Sequence, residues 1–405
     1  MKGRAFSKIL VFSAAGIGDT LTDSVAIRAL KESFPRARLT VVTHRRRATL
    51  AQHNHCADEV VLYHKSFLRF ISLARELRAR RFEAVIMLRG NDPDLWPLAW
   101  LANRHAVVSC PIMTRFKFLI SHPVHVPAWD QTHGVEQTLE VVRSLGADTT
   151  DRRLVYQVRE EERAALRQKM IFWGIEDSPK WREDKLGRDG VLAVQPPRTE
   201  EDAGDGVPPK HRRRKPSAKP YLRAIQDSPL IVFQVGGGQR SGWRDWPVEH
   251  YVKLGKRLLD QYDVQLVLLG GADLCARAAA IDAALPRAIF PSTGFPPGAI
   301  NLAGKLSLAE SAALLSLAKI LVSTDTGIMH LGFAVGVDTL ALIHCNNPAS
   351  RVGPHGYGDK HRVVQLEPPP GVAISKDVDM ALVTPEAVWP QLEQLCDRNK
   401  LQRVV

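Results

Sequence analysis

The chain has 405 residues, 45% of them apolar, and a formal net charge of +12. This length suits two domains of ordinary size, and the apolar fraction supports globular cores. The five cysteines are scattered and form no Cys-x-x-Cys pair, so the sequence indicates neither a disulfide framework nor a zinc site, which fits the reducing cytosol.

The amino terminus superficially mimics a secretory signal, with basic residues before a short apolar run. Cleavage near Ala15 would destroy the first predicted strand and its loop, so we predict that no signal is present. Residues 327–345 are nearly apolar over a membrane-spanning length, but His330 and Asp338 interrupt them. A helix followed by a strand explains this stretch better, and the sequence predicts no transmembrane segment.

The first βαβ unit is predicted from a strand over Lys8–Phe12, a helix from about Thr20 to Phe34 and a strand over Leu39–Thr43. Its loop carries the sequence Gly16-Ile17-Gly18-Asp19. A Gly-x-Gly turn here is typical of nucleotide-binding folds, but the third glycine is missing and an acid follows the second. By itself, Asp19 could be a helix-stabilising acid or a functional one.

The middle of the chain differs in composition. Residues 179–220 are rich in proline, glycine and charge and lack apolar periodicity, so residues 179–229 are predicted to be a disordered insertion or linker. Residues 179–220 contain 11 basic and 7 acidic residues, which account for +4 of the +12. The run Lys210–Lys215 could bind nucleic acid or membrane, but a solvated linker is favoured.

The remaining charge of +8 belongs to the folded part, with basic clusters at Arg45–Arg47 and around residues 75–81. A basic face favours an acidic partner, such as anionic lipid headgroups or a phosphorylated glycan.

Strand–helix alternation resumes in the second half of the chain. The predicted strands cover Leu230–Val235, Val264–Leu269, Ile320–Val322 and Thr339–Ile343. The predicted helices cover about Val248–Gln261, Ala276–Ala283, Leu308–Leu317, His330–Gly336 and Pro385–Leu401.

The loop after Ile320–Val322 describes a helix N-terminus at the carboxyl end of a buried strand. Thr324, Asp325 and Thr326 are all good N-cap types. Such a terminus presents free backbone N–H groups and a partial positive charge, which together suit an anion. Gly327 would let a ligand approach the backbone, and His330 would add a donor one turn later. By itself, such a loop is more often an ordinary capped turn.

Together with three further motifs, these two loops resemble glycosyltransferase family 9, whose best-known members are the ADP-heptose:lipopolysaccharide heptosyltransferases. The five motifs are Gly16-Ile17-Gly18-Asp19-x-Leu21, Arg244 two places before Trp246-Pro247, Gly270–Asp273, Asn301–Leu308 and Asp325-Thr326-Gly327-x-x-His330. They occur in the family's order and cover roughly residues 5–65 and 230–356.

The resemblance implies the α/β fold called GT-B, with two Rossmann-like doubly wound domains that face a central cleft. The first domain, residues 1–178, would hold the acceptor, and the second, residues 230–384, would hold the nucleotide sugar. The C-terminal helix, within residues 385–405, is expected to return to the first domain.

The resemblance also implies sugar transfer, with ADP-heptose as the donor and lipopolysaccharide core as the acceptor. Asp19 would be the general base on the acceptor-side loop that contains Gly16 and Gly18, and Asp273 would accept hydrogen bonds from the ribose. The groups expected around the donor diphosphate are Arg244, Asp325, the backbone N–H groups of Thr326 and Gly327, and His330.

We expect no cofactor and no metal ion, because these cationic and backbone groups can supply the positive charge. The partners expected are a nucleotide sugar and an anionic glycolipid or glycan, with no nucleic acid. The expected location is cytoplasmic, with peripheral contact at the inner membrane. The Asp-x-Asp sequences at Asp92–Asp94 and Asp377–Asp379, typical metal ligands in another glycosyltransferase fold, are interpreted as loop acids.

Two departures from the family pattern keep other donors open. Arg244 replaces the common lysine, and His344–Asn347 replaces an aromatic-Gly-Pro-Thr loop near the nucleotide. Because a fold alone does not establish an activity, three alternatives also stay open. They are another GT-B enzyme such as a nucleotide-sugar epimerase, a non-catalytic relative, and a basic nucleic-acid-binding protein, although no nucleic-acid-binding motif is present.

Overall fold

The computed structural model describes residues 3–90, 92–172, 229–237, 242–286 and 299–404. Within these ranges the chain forms two six-stranded parallel sheets with helices packed against them, so the predicted α/β class with two doubly wound units is confirmed. The predicted insertion, including Lys210–Lys215, lies almost wholly outside the described residues. The predicted division into domains therefore stays a prediction.

The first sheet has the strand order β3-β2-β1-β4-β5-β6. Its strands are β1 Lys8–Ala14, β2 Arg38–His44, β3 Glu59–Tyr63, β4 Ala84–Gly90, β5 Val107–Ser109 and β6 His122–Pro123. The helices of this half are α1 Ile17–Ser33, α2 Ala48–Gln52, α3 Phe67–Ala79, α4 Leu95–Ala102, α5 Gly134–Arg143 and α6 Glu160–Phe172. Central strand β1 is almost continuously apolar because helices cover both faces of the sheet.

The second sheet has the order β12-β11-β10-β7-β8-β9. Its strands are β7 Leu230–Gln234, β8 Gln265–Leu269, β9 Ile300–Asn301, β10 Ile320–Thr324, β11 Asp338–Ile343 and β12 Arg362–Gln365. Its helices, together with the terminal one, are α7 Val248–Gln261, α8 Cys275–Ala284, α9 Leu308–Leu317, α10 Gly327–Val335, α11 Ala349–Val352 and α12 Pro385–Arg398.

Both sheets follow the same order, since each starts with a central strand and continues first to one side and then to the other. The direction changes between β1 and β4 in the first sheet and between β7 and β10 in the second. In open α/β sheets, ligands bind outside the carboxyl ends of the strands at this switch point. The topology therefore indicates two facing crevices, one after β1 and β4 and one after β7 and β10.

The two halves share a core. Helices α1 and α10 pack against each other, and a single apolar cluster runs from the inner face of the first sheet to that of the second. Two further clusters cover the outer faces of the sheets. The packing of α1 on α10 brings their N-termini together at the cleft.

Helix α1 begins earlier than predicted. It starts at Ile17, not near Thr20, with Gly16 as the N-cap residue and a Thr20 N–H to Gly16 O hydrogen bond of 2.9 Å. The glycines are therefore part of the helix start, not of a preceding loop. As a result, Asp19 lies in the first helical turn, at the mouth of the cleft.

The prediction that the C-terminal helix returns to the first domain was wrong. Helix α12 packs on β11, β12 and α7 of the second domain. Its apolar face, which includes Trp389 and Leu392, is buried in the outer core of the second sheet, and the Arg257 guanidinium lies 4.1 Å from the Trp389 ring. A helix of the first half contacts the second half instead. Helix α6 packs on α9, where Lys169 Nζ lies 2.7 Å from Glu310 Oε2.

Across the residues that the structure describes, no helix combines the length and the apolar character needed to cross a bilayer.

Candidate active site

The two glycine-containing helix starts meet face to face across the cleft. A Cβ atom added to Gly18 would overlap the His330 ring, and one added to Gly327 would lie 2.6 Å from Ile17 Cβ. Side chains at these two positions would therefore push the helices apart. The sequence suggested that Gly327 admits a ligand to the backbone, but in this structure Ile17 occupies the space beside it.

The Asp19 carboxylate is half-exposed and anchored at one oxygen. Arg89, near the end of β4, places Nη1 2.7 Å from Asp19 Oδ1. No hydrogen bond to Asp19 Oδ2 is found within the described part of the chain, and Gly16 leaves room beside this oxygen, since an added Cβ would lie 3.2 Å from it. One carboxylate oxygen is thus fixed, and the other remains available to a proton donor.

Arg89 is itself held by several acceptors. Its Nε lies 3.3 Å from Asp23 Oδ1, and its Nη2 donates to Gly134 O at 3.0 Å and to Gln137 Oε1 at 3.3 Å. Because the guanidinium is planar and all three nitrogens are engaged, its orientation is fixed. Asp19 is therefore attached to a rigid group that spans β4 and the N-terminus of α5.

Asp23 lies fully buried beneath Arg89. It accepts a 2.6 Å hydrogen bond from Ser13 Oγ in addition to its contact with Arg89. Burial raises the pKa of Asp23 to about 7, even though Arg89 and Ser13 lower it. This carboxyl group therefore changes charge near neutral pH, one turn of α1 below Asp19.

In the second domain, a buried acid contacts an arginine and a histidine. Asp325 Oδ2 lies 3.0 Å from Arg244 Nη1 and accepts a 2.7 Å hydrogen bond from Asn347 Nδ2, while Oδ1 lies 3.8 Å from His330 Nε2. Burial acts to raise the pKa of Asp325, but His330, Arg244 and Asn347 together hold it below its usual range. Asp325 is only 3% exposed, so it faces these partners and not the open cleft.

Helix α10 begins beside this cluster. Thr326 is its N-cap residue, and the Thr326 hydroxyl accepts a 3.4 Å hydrogen bond from the Met329 N–H. Arg244 also donates to the Asp325 carbonyl at 3.0 Å, and its guanidinium lies 4.4 Å from the Trp243 ring. A helix N-terminus flanked by an arginine and a histidine is well suited to hold an anion.

Asp273 lies at the same edge of the second sheet. It occupies the 3₁₀ turn Ala272–Leu274 that follows β8, and it is exposed. Strand β8 neighbours β7, which neighbours β10, so Asp273 belongs to the carboxyl-end crevice. It also lies close enough to Asp245 to raise the pKa of that partly buried acid, although burial is the larger cause.

A second contact between the halves lies behind Arg89. His133 Nε2 donates to Gly353 O at 3.1 Å, and the His133 ring stacks on His355 at 4.4 Å. Burial and the nearby His355 lower the pKa of His133 to about 4, which keeps it neutral. The neutral Nδ1 accepts a 3.1 Å hydrogen bond from the Val135 N–H. His133 therefore fixes the start of α5, where the Gly134 carbonyl accepts a hydrogen bond from Arg89.

The two Asp-x-Asp sequences have structural contacts. Asp92 pairs with Lys65 at 2.5 Å, and Asp94 accepts a 2.7 Å hydrogen bond from the Tyr63 hydroxyl. Asp379 caps the turn Met380–Leu382. Among the described residues, no group of three or more His, Cys, Asp or Glu side chains is arranged to hold a metal ion.

Comparison with known proteins places this chain in a family. A family model described as glycosyltransferase family 9 (heptosyltransferase) matches residues 70–376, about three quarters of the chain. The chain belongs to glycosyltransferase family 9. The GT-B architecture with two facing Rossmann-like domains is therefore the fold of this family 9 protein.

Individual relatives of this family 9 protein are distant. Lipopolysaccharide heptosyltransferase 2 of Escherichia coli K12 is 31% identical over 122 residues, which are 30% of this chain and 33% of that protein. The chain matches only about a third of the length of its curated relatives.

Two solved structures match over nearly their whole length. A glycosyl transferase family 9 protein from Veillonella parvula DSM 2008 has a TM-score of 0.72, 18% identity and 98% coverage of both chains. The E. coli ADP-heptose lps heptosyltransferase II has a TM-score of 0.68 and 19% identity, and covers 97% of this chain and 99% of that chain. At these identities the likeness establishes the fold alone.

The predicted site residues of this family 9 protein mostly gather around the cleft. Those that lie at the meeting point of α1 and α10 or contact it are Gly16, Gly18, Asp19, Arg244, Asp325, Thr326, Gly327 and His330. Asp273 lies at the same edge of the second sheet, in the turn that follows β8. The sequence reasoning missed Arg89, Asp23 and Asn347. The strand order would have revealed Arg89, because it lies beside the switch point.

Proposed function

We propose that this family 9 protein is a glycosyltransferase that moves a sugar from a nucleotide sugar to a glycan hydroxyl group. The observation that carries the proposal is the position of Asp19, an anchored acid in the first turn of α1, directly across the cleft from the N-terminus of α10. A base on one domain thus faces an anion site on the other. Such an arrangement suits direct transfer between two substrates that are held side by side.

Asp19 is proposed to be the general base. Arg89 holds Oδ1, so Oδ2 would take the proton of the acceptor hydroxyl while the acceptor oxygen forms a bond to the anomeric carbon of the donor. A positioned base of this kind contributes about 10²–10⁴ to the rate. Arg89 is proposed to act through Asp19 as a positioning residue.

The leaving group is proposed to be a nucleoside diphosphate. As the bond from the anomeric carbon to the diphosphate oxygen breaks, its electron pair stays on the diphosphate. The N–H groups of Thr326 and Gly327, the Arg244 guanidinium and His330 would stabilise this charge. Because these groups supply positive charge at the site, we propose that the reaction is independent of metal ions and of other cofactors.

Two acids of the second domain have proposed roles that are based on where they lie. We propose that Asp273, at the carboxyl end of β8, accepts hydrogen bonds from the ribose hydroxyls. Asp325 is proposed to act indirectly, by holding Arg244 and His330 in place, since its oxygens already face Arg244, His330 and Asn347.

The proposed donor is ADP-heptose, and the proposed acceptor is lipopolysaccharide core or a related anionic glycolipid. This choice is supported by the names of the relatives, which are lipopolysaccharide heptosyltransferase 2 and ADP-heptose lps heptosyltransferase II. We therefore propose that the protein works in the cytoplasm, in peripheral contact with the inner membrane.

The test is a transfer assay with a panel of nucleotide sugars, each with and without lipopolysaccharide core that lacks heptose. We expect release of ADP from ADP-heptose only when the acceptor is present, together with a gain of one heptose in acceptor mass. Acceptor-independent conversion of the donor into an epimer would contradict a transferase. Acceptor-dependent release of another nucleotide would retain the transferase and replace the donor.

A further inference from the structure

An exposed apolar pair flanked by basic residues marks the outer edge of the first sheet. Phe67 and Leu68, in the first turn of α3, are 77% and 78% exposed. The buried face of α3 is formed by Leu73, Ala74 and Leu77, so the pair is not part of the core. Large apolar side chains so fully exposed side by side are expected where a surface meets an apolar partner.

The surroundings of this pair are basic. Arg45 and Arg46 follow β2, while Lys65 and Arg69 flank the pair after β3. The carboxyl ends of β2 and β3 are adjacent, because His44 pairs with Tyr63 in the sheet. We call Arg45, Arg46, Lys65, Phe67, Leu68 and Arg69 the β2–β3 rim.

Two acids face this rim, and both are engaged. Asp92 forms an ion pair with Lys65, with 2.5 Å between Oδ1 and Nζ, and Asp94 accepts a hydrogen bond from the Tyr63 hydroxyl. Arg45, Arg46 and Arg69 form no ion pair with any described residue, so the rim keeps a net positive charge. Phe67 also borders a hollow whose lining is mixed: Tyr63, Phe70 and Pro97 form its apolar part, and Lys65, Ser66 and Asp94 form its polar part.

We propose that the β2–β3 rim docks on an anionic lipid bilayer, with Phe67 and Leu68 inserted among the headgroups. Apolar side chains next to unpaired basic ones suit the interface of an anionic membrane, where burial and charge attraction add. A second copy of the chain is a poorer occupant, because symmetric pairing of two rims would bring their unpaired arginines together.

The proposal deepens the proposed function, since it explains how a membrane-borne acceptor would reach Asp19. Strand β1, which leads to Asp19, is two strands from β3, and neighbouring strands are roughly 5 Å apart. Arg47 lies between them and donates to the Ala15 carbonyl at 3.0 Å. A bilayer at the rim would therefore present a glycolipid headgroup beside the cleft.

The test is flotation of the full chain with vesicles of phosphatidylglycerol or of phosphatidylcholine. Wild type should float with the anionic vesicles, and Phe67→Ser/Leu68→Ser should lose at least about tenfold in partition coefficient. Arg69→Glu should weaken binding to anionic vesicles only. The basic run Lys210–Lys215 is present in every variant, so it cannot produce the difference.

Phe118→Ser is the matched control, because Phe118 is 79% exposed. It lies in the turn before β6, where the Ser121 N–H bonds to Val107 O at the start of β5, toward the opposite edge of the sheet. We expect Phe118→Ser to float with anionic vesicles as well as wild type does. An equal loss from Phe118→Ser, no loss from the double variant, or a dimer that only the double variant dissociates would overturn the docking site.

The flotation result and the transfer result are separable. Transfer activity without vesicle binding would overturn the rim and leave the transferase proposal intact. Vesicle binding that depends on Phe67 and Leu68 in a protein without transfer activity would support the rim and contradict the transferase.

Discussion

Arg89 Nη1 lies 2.7 Å from Asp19 Oδ1 and fixes one oxygen of the proposed base, while the other accepts no hydrogen bond from the residues that the structure describes. The two residues come from opposite sides of the first switch point, since Asp19 follows β1 and Arg89 is the penultimate residue of β4. The same arginine reaches Asp23 and the start of α5. The orientation of Asp19 therefore depends on how β1, β4 and α5 pack around the cleft.

Replacement of Arg89 by lysine should lower kcat at least about tenfold with little change in the donor KM. Lysine keeps the charge, but it cannot present three nitrogens in one plane to the four acceptors. Arg89→Gln should lose more than Arg89→Lys. Steady-state kinetics measure the effect, with Arg143→Lys as a control in a surface ion-pair network of the same domain. An unchanged kcat in Arg89→Lys would show that Arg89 does not position the base.

Asp23 should make the protein less stable as the pH rises from about 4 to about 7. Its pKa is raised from 3.8 to about 7 by burial, so within this range the unfolded chain releases the proton that the folded protein keeps. The slope should approach about 1.4 kcal/mol per pH unit and level off above pH 7. Asp23→Asn should remove this slope in denaturant titrations, whereas Asp377→Asn, at an exposed carboxyl, should not. If the free energy of unfolding depends on pH in the same way for Asp23→Asn and wild type, the raised pKa of Asp23 is contradicted.

Gly327→Ala should impair nucleotide binding because its Cβ would meet Ile17 at 2.6 Å. If the close approach of α1 and α10 is what matters, Ile17→Gly should restore most of the lost affinity in the double variant. A double-mutant cycle of Gly327→Ala and Ile17→Gly should give a coupling free energy above about 1 kcal/mol. Calorimetric titration of a nucleoside diphosphate measures it. Additive losses would mean that Gly327 serves the ligand directly, as the sequence first suggested.

Arg244→Ala and His330→Ala should each weaken binding of a nucleoside diphosphate more than binding of the nucleoside. Both side chains are proposed to meet the phosphates, and a charge-assisted hydrogen bond is worth roughly 1.5–3 kcal/mol. Arg257→Ala is a suitable control, because Arg257 stacks on Trp389 in the outer core. Equal losses for the two ligands would place the phosphate site elsewhere and assign Arg244 and His330 to the fold.

The sequence was sufficient to predict both halves of the cleft. Apolar runs mark the central strands β1 and β10, and the loops and helix starts that follow them must lie at the carboxyl edge of a parallel sheet. Local patterns therefore placed Asp19 and Thr326 at helix starts on the carboxyl edge of each sheet. Local patterns also gave the start of α9 correctly at Leu308, where Ser307 and Glu310 form a capping box.

The features that the sequence did not predict depend on packing between distant segments. Arg89 is 70 residues from Asp19, and only the strand order makes them neighbours. The amphipathic pattern of α12 shows that one face is buried but not which domain covers it. The Ile17 contact with Gly327 depends on how two domains approach each other, and a glycine in a loop gives no sign of whether a ligand or a side chain fills the space.

The most direct test of the account is Asp19→Asn, measured for both transfer and donor affinity on the same preparation. We predict that acceptor-dependent release of ADP from ADP-heptose falls about 10²–10⁴-fold, because the acceptor proton loses its base. The calorimetric affinity for the nucleoside diphosphate should stay within about twofold of wild type, since the proposed donor contacts lie in the second domain. Wild-type turnover by this variant would contradict Asp19 as the base, and a large loss of nucleotide affinity would place Asp19 in the donor site.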